Sequence, residues 1–329
     1  MIESFSEFKM EADRLDEALI TFAGKAYPKF GQFLILAGGA GSGKGFIQDN
    51  LIGMQGKTID VDKIKKLAMA SNVFAARVKK ETGYDLKTFD LRKPENVSKV
   101  HEILGDIYKT DKKLMTTFSR SVLSAHPDRK PNIIMDVTLK DMKKLRTLSE
   151  YAETLGYDKK DVHLIWVVND IEVAIEQNAT RSRVVPVEIL LGTHVGAANT
   201  MKEVLNMGKS ITRYLDGEIV LAFNKFKVDS TLIKNTIKHA EPMKKVGLGG
   251  GKEGGGQILT DVKYVYMKHA GKALTSIKDM EAEFYDKIKS YVPKGTVWES
   301  TEVLLDGVMI EGEEMWDIDD DMSDDWPNV

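Results

Sequence analysis

An α/β domain built on a doubly wound, mostly parallel sheet is the fold class this sequence predicts. Three observations predict it. Short apolar runs recur along the chain, stretches of helical periodicity separate them, and the first run leads directly into a glycine-rich turn. A helical insertion and a small C-terminal appendage complete the expected architecture.

The elements follow in order. Residues 1–30 read as a short amphipathic leader and a helix. Phe33-Leu34-Ile35-Leu36-Ala37 is apolar throughout, as a strand buried on both faces requires. Similar runs follow at Lys57–Val61, Asn132–Asp136 and His163–Val168, and a fifth, Glu218–Phe223, comes after a polar helical stretch. The interval 63–128 is helical in character throughout. It exceeds what a crossover needs and is expected to cover one side of the active site. Lys244–Gln257 is dominated by glycine, which loses the most entropy on ordering. No apolar strand leads into it and no GK[ST] follows, so it reads as a linker and not as a second phosphate loop. The expected organisation is a leader at 1–30, a P-loop domain at 31–243, a linker at 244–257, a small region at 258–310 and an acidic tail at 311–329.

A chain of 329 residues suits one large α/β domain with an appendage. It has no cysteine, which excludes disulfides, thiolate metal sites and thiol catalysis, and fits a reducing compartment. No apolar run reaches the length of a membrane span, and no secretory apolar core stands near Met1. A cytoplasmic location and no membrane partner are expected. The net charge of −3 conceals an asymmetry, because nine acidic residues and no Lys or Arg lie from Glu311 onward. The remainder is mildly basic. It would tolerate a polyanionic ligand but is too weakly charged to argue for nucleic acid.

The decisive stretch is Gly38-Gly39-Ala40-Gly41-Ser42-Gly43-Lys44-Gly45-Phe46. Gly38, Gly43 and Lys44 satisfy GxxxxGK directly after a strand and ahead of a helix. Glycines let successive N–H groups turn inward around phosphate oxygens, and the following helix adds its positive end. Lys44 supplies a mobile charge for the outer phosphates. ATP with Mg2+ is the expected ligand. One departure stands out. Most P-loops place Ser or Thr after the lysine to hold magnesium, and here Gly45 takes that place. Adenylate-kinase-like loops also carry glycine there but follow it with threonine, where this chain has Phe46. The metal is therefore expected to rely on carboxylates and water.

Three further constellations carry chemistry. Ile59-Asp60-Val61-Asp62 reads as the close of the second strand, and ligands in open α/β sheets lie beyond carboxyl ends of strands. An acid there can take a hydroxyl proton or hold magnesium, and Asp62 can equally cap the helix beginning at Lys63. Strand periodicity puts Asp60 and Asp62 on one face. Position favours Asp62 as the base and Asp60 as a magnesium group. Asp136, after the apolar run of the third strand, sits where a Walker-B-type acid would, and Thr138 and Lys140 beyond it could face an acceptor. The plain alternative is strand-end polarity before an Asp141 helix cap. Arg181 and Arg183, ahead of Pro186, suit a lid closing over phosphates because guanidinium forks bind them bidentately. They would otherwise form a solvated basic helix end. His194 reads as an ordinary polar residue.

As a set, Lys44, Asp62, Asp136-Val137-Thr138-Leu139-Lys140 and Arg181 with Arg183 resemble the zeta-toxin family of P-loop kinases over about Gln32 to Phe223. That family has a P-loop, an I-D-x-D pattern after the second strand, an E-x-T-x-R element and lid arginines. The resemblance implies a P-loop kinase fold, Asp62 as general base, and acceptor contacts from Asp136, Thr138 and Lys140. It also raises an antitoxin-like partner. Asp for Glu and Lys for Arg depart from the acceptor element, which weakens transfer of the family's known substrate, a UDP-activated amino sugar. The chain is also similar to zeta-type kinases of tailed phages. Phe5-Ser6-Glu7-Phe8-Lys9-Met10-Glu11-Ala12 resembles the cleaved capsid-targeting leader of phage internal head proteins, with Lys9 departing from the usual apolar residue. That resemblance implies packaging in a virion and a phage head partner, against the plainer reading of an amphipathic N-terminal helix.

Three functions compete at this point. The first is an ATP-dependent kinase of a small hydroxyl-bearing acceptor, such as a nucleotide sugar. The second is a kinase of nucleic-acid ends or modified bases, which would need a basic, aromatic-lined groove that the sequence does not display. The third is a non-catalytic nucleotide-binding head protein, kept open by the missing hydroxyls at Gly45 and Phe46.

Overall fold

The computed structural model describes residues 19–180, 183–224, 245–247, 261–280 and 282–299. Seven strands form one sheet. They are β1 (Phe33–Ala37), β2 (Lys57–Ile59), β3 (Ile133–Val137), β4 (Val162–Val168), β5 (Ile219–Asn224), β6 (Lys245–Gly247) and β7 (Asp261–Lys268), in the order β2-β3-β1-β4-β5-β7-β6. The first five run parallel. β7 pairs antiparallel with β5, and β6 antiparallel with β7. All five residues of β1 are buried because it lies between β3 and β4 with helices over both faces.

Strand alternation sorts the core into two layers. Phe33, Ile35 and Ala37 of β1 face one layer, with Met135, Leu164, Trp166 and Leu221 from its neighbours. Helices α6 (Met142–Thr154) and α8 (Val187–Asn206) cover that side through Leu145, Leu148, Ala198, Met201 and Leu205. Leu34 and Leu36 face the other layer, under Ile47 and Leu51 of helix α1 (Lys44–Leu51). Two covered faces around a parallel sheet are the doubly wound arrangement expected.

The interval after β2 is helical, as expected. It comprises α2 (Val61–Ala70), α3 (Asn72–Thr82), α4 (Pro94–His101) and α5 (Thr110–Leu123). Ala75, Val78, Leu86, Val100, Ile103, Leu104 and Tyr108 give it a small core of its own. Helix α7 (Ile171–Thr180) follows β4 and forms a hairpin with α8.

The C-terminal region joins the main body. Besides β7 it supplies α9 (Ala282–Tyr291), whose Ile288 and Tyr291 enter the first layer. Trp298 is fully buried, stacks on Trp166 with centroids 6.0 Å apart, and donates its indole N–H to the Ala198 carbonyl at 2.6 Å. Three residues of the stretch expected to be a linker, Lys245–Gly247, form the edge strand β6, where pairing to β7 satisfies their backbone. The rest of the glycine-rich stretch, the leader through residue 18 and the acidic tail lie outside the described residues.

One sequence expectation is corrected here. β2 ends at Ile59, and α2 begins at Val61. Asp60 and Asp62 are therefore not neighbours on one strand face. Asp60 is the single residue of the link, and Asp62 lies in the first turn of α2. The physical reason is that β2 is a short edge strand paired only with β3, so nothing holds residues 60–62 extended.

Candidate active site

The glycine-rich loop leaves the carboxyl end of β1, where the strand order switches from the β3 side to the β4 side of the sheet. Gly38 N–H donates to the Thr138 carbonyl at 3.3 Å, which carries the β1–β3 pairing one step past the strands. Gly38, Gly41 and Gly43 have φ of 147°, 77° and 89°. Gly43 is the left-handed residue from which α1 starts. At Gly38 space is decisive as well as φ, since a Cβ would stand 2.7 Å from the Val167 carbonyl oxygen. Asn169, just past β4, donates its side-chain N–H to the Gly41 carbonyl at 3.3 Å. Its buried amide oxygen has no hydrogen-bond partner among the described residues.

Lys44 is the first residue of α1. Its ammonium turns back over the loop, donating to the carbonyls of Gly38 at 2.6 Å and Gly39 at 3.4 Å. Asp136 Oδ1 lies 3.6 Å from the same nitrogen, and both side chains are mostly shielded from water. The register explains the meeting, because Asp136 of β3 is directly beside Leu36 of β1. Lys44 and Asp136 are thus brought together as the sequence suggests. Gly45 is exposed, and a Cβ there would meet nothing within 4 Å. Phe46 packs partly against the second core layer.

Asp60 stands at the carboxyl end of β2. Ile59 is level with Met135, so the register carries Asp60 to the level of Asp136, on the far side of β3 from the P-loop. Among the described residues no cluster of three or more His, Cys, Asp or Glu could hold a metal. Magnesium does not need one, since it commonly binds through one or two carboxylates, substrate phosphates and water. The side chain of Asp62 and the whole of Arg181 lie outside what the structure describes.

The segment expected to face the acceptor follows β3. Thr138 is buried, Leu139 adopts a left-handed φ of 56° although it is buried and bulky, and Lys140 is half-buried. Asp141 then caps α6 by accepting the Lys144 N–H at 2.7 Å. Arg183 is half-buried in the loop between α7 and α8. Next to it, Val184 N–H donates to the Leu91 carbonyl of the helical insertion at 3.1 Å, and Asn178 brackets Val185 with two hydrogen bonds. The arginine loop therefore spans from the hairpin to the insertion.

Sequence reading missed two residues at the loop. Thr193 accepts the Ala40 N–H at 3.0 Å, and His194 Nε2 is 2.8 Å from the Ala40 carbonyl. A carbonyl can only accept, so Nε2 carries a proton and donates it to this bond. Burial pushes the His194 pKa down to about 4, with the Lys44 charge adding to the effect against the raising influence of the Ala40 bond. His163 behaves similarly at the opposite end of β4. Burial takes it down to about 3, and it donates to Gln32 Oε1 at 2.8 Å while accepting the Glu218 N–H at 2.9 Å.

No protein-family model and no curated protein matches this chain. Similar solved structures include the AvrRxo1-ORF1:-ORF2 complex with ATP, 16% identical, at a TM-score of 0.40 over 60% of this chain and 56% of that one. The AvrRxo1-ORF1:AvrRxo1-ORF2 complex with sulphate ions is 16% identical, at 0.44 over 88% and 71%. A structure of the PezAT chromosomal toxin–antitoxin system of Streptococcus pneumoniae is 18% identical, at 0.35 over 66% and 76%. The chain spans little more than half the length of the first of these. What this chain does therefore rests on the chemistry of its own residues.

Proposed function

We propose that this chain is an ATP-dependent kinase that transfers the γ-phosphoryl group to a hydroxyl of a small acceptor, a nucleotide sugar being the leading candidate class. One observation carries the reading. A strand–GxxxxGK–helix loop holds Lys44 over its own turn and within 3.6 Å of Asp136, an acid at the end of the neighbouring strand. A lysine over a nest of glycine N–H groups, with an adjacent strand-end carboxylate, is what positioning a nucleotide triphosphate and its metal requires.

The proposed roles follow from position. The loop from Gly38 to Gly43, with Ala40 holding its turn, cradles the phosphates through its remaining N–H groups and Ser42, together with the first turn of α1 at Gly45 and Phe46. Lys44 neutralises the outer ones. Asp136 and Asp60 would hold magnesium, which neutralises charge developing on the transferring group. The acceptor oxygen bonds to phosphorus as the bond to the leaving diphosphate breaks, and its proton passes to Asp62. Asp62 belongs to the first turn of α2, which begins after the one-residue link at the carboxyl end of β2. Thr138 and Lys140 orient the acceptor, and Arg181 with Arg183 stabilises charge in the transition state.

A second reading, a non-catalytic nucleotide-binding protein, draws on Gly45 and Phe46, which leave the loop without its usual metal-binding hydroxyl. One experiment separates the two. Purified protein is incubated with labelled ATP, magnesium and pools of nucleotide sugars, oligonucleotides and proteins. Labelled nucleotide sugar that disappears in Lys44→Ala, and falls roughly 10²-fold or more in Asp62→Asn with ATP binding retained, supports the kinase. Label on oligonucleotides would shift the acceptor class. ATP binding without transfer to any pool would favour the second reading.

A further inference from the structure

Helix α8 touches the nucleotide loop and the acceptor element within one turn. Thr193 Oγ1 accepts the N–H of Ala40, and His194 Nε2–H donates to the carbonyl of the same residue. The imidazole also lies flat against Gly39, where a Cβ would stand 2.3 Å from His194 Cδ2. Two positions on, Gly196 abuts the turn that carries the acceptor residues, and a Cβ there would lie 2.7 Å from Lys140 Cβ and 3.0 Å from its carbonyl oxygen. The helix is fixed from behind by Ala197, Ala198 and Met201 in buried packing and by the Trp298 indole on the Ala198 carbonyl.

These contacts have a consequence for the loop. A P-loop works by presenting N–H groups inward, so the peptide units between Gly38 and Gly43 must each keep one orientation. Glycines cannot supply that rigidity themselves, since they are the residues with the most freedom to lose. Ala40 is the non-glycine residue at the crest, and its N–H is engaged by Thr193 and not turned toward a phosphate. Its carbonyl is engaged as well. Both polar groups of this residue are thus held by one neighbouring helix, across more than 150 positions of sequence.

We propose that Thr193 and His194 are positioning residues for nucleotide binding. They clamp the P-loop at Ala40 from outside, and α8 sets the distance between that loop and the Thr138–Lys140 element through the close approach at Gly196. This proposal rests on the reading of the loop as an ATP site. The imidazole must act as a neutral donor, which its burial enforces near neutral pH. Neither residue touches ATP in this account. They act through the peptide units on either side of Ala40.

The test uses the full chain and magnesium–ATP, with affinity measured by calorimetry well below the melting temperature of every variant. Thr193→Val keeps shape and removes the acceptor. His194→Leu removes the donor, and His194→Gln restores a side-chain N–H in nearly the same volume. Losing one such bond from a pre-ordered loop is expected to weaken ATP binding by about tenfold. His194→Gln should recover most of that loss, a rescue that mere filling of space by leucine would not give. If His194→Leu fails to fold, Thr193→Val, which is nearly isosteric, decides. Wild-type protein that does not bind ATP would remove the nucleotide reading itself. Wild-type binding that Lys44→Ala abolishes, combined with unchanged affinity in Thr193→Val and in His194→Leu, would overturn the clamp alone.

Discussion

At the level of single residues, the site combines groups that a sequence displays and groups that it hides. Lys44 and Asp136 are legible because each belongs to a local pattern, a GxxxxGK turn and an apolar run ending in an acid, and the parallel register then joins them. Gly45 is legible as a departure, and the structure adds that its position is open, with no atom within 4 Å of a built Cβ. That predicts Gly45→Ser to be accepted. It should restore a magnesium ligand and tighten magnesium-dependent ATP binding by about threefold to tenfold, on the scale of one added polar contact. Thermal stability should hold or rise slightly, because serine is about 0.5 kcal/mol better than glycine inside a helix. Calorimetry with and without magnesium checks this, and equal effects in both would mean that the hydroxyl is not reaching the metal. Thr193 and His194 were illegible for the opposite reason. Their contact with Ala40 spans more than 150 positions, and a Thr-His pair in the middle of a helical pattern gives no periodic or motif signal.

At the level of elements, strand runs were readable wherever both faces are buried. β1, β4 and β5 are continuous apolar segments, and the structure places them side by side at the centre. β2 was overextended because it is a three-residue edge strand, where apolar alternation is too short to mark its end. The sequence marks a small C-terminal region but not its incorporation into the sheet, since antiparallel pairing of β7 with β5 is a long-range choice that local sequence does not encode. The packing of this region has a measurable value. Trp298 is wholly buried, stacks on Trp166 and holds the Ala198 carbonyl, so it fastens the C-terminal segment onto α8. Trp298→Ala should destabilise the protein by ~3–5 kcal/mol through lost burial and the cavity left behind. Denaturant unfolding measures it. A loss below ~1 kcal/mol would mean that the region docks too loosely to brace the helix that touches the P-loop.

At the level of the whole molecule, two buried imidazoles tie stability to pH. His163 and His194 stay neutral in the folded state down to about 3 and about 4, whereas free histidine takes its proton near ~6.5. The unfolded chain therefore binds more protons below that value. This contribution to stability is complete above ~6.5 and is lost as pH falls toward 4, by at most about 2.7 kcal/mol per pH unit for two protons. Burial raises the Glu218 pKa and works the other way, so the useful measure is a difference between proteins. His194→Gln should flatten the melting-temperature curve between pH 6.5 and 4.5, and an identical slope would show that this ring is not held neutral. The same scale governs access to the site. The α7–α8 loop and the helical insertion meet where Val184 N–H bonds the Leu91 carbonyl at 3.1 Å. Under the proposed kinase reading, release of nucleotide is expected to require parting of this contact, and such openings often limit turnover. The chain has no cysteine, so Leu91→Cys with Val184→Cys gives a single defined crosslink. Backbones joined by one hydrogen bond lie close to the ~5–6 Å between Cα atoms that a disulfide spans. Oxidation should slow release of a fluorescent ATP analogue by tenfold or more, and reductant should restore it. Release rates that are the same in the oxidised and reduced protein would show that nucleotide leaves without separating the two bodies.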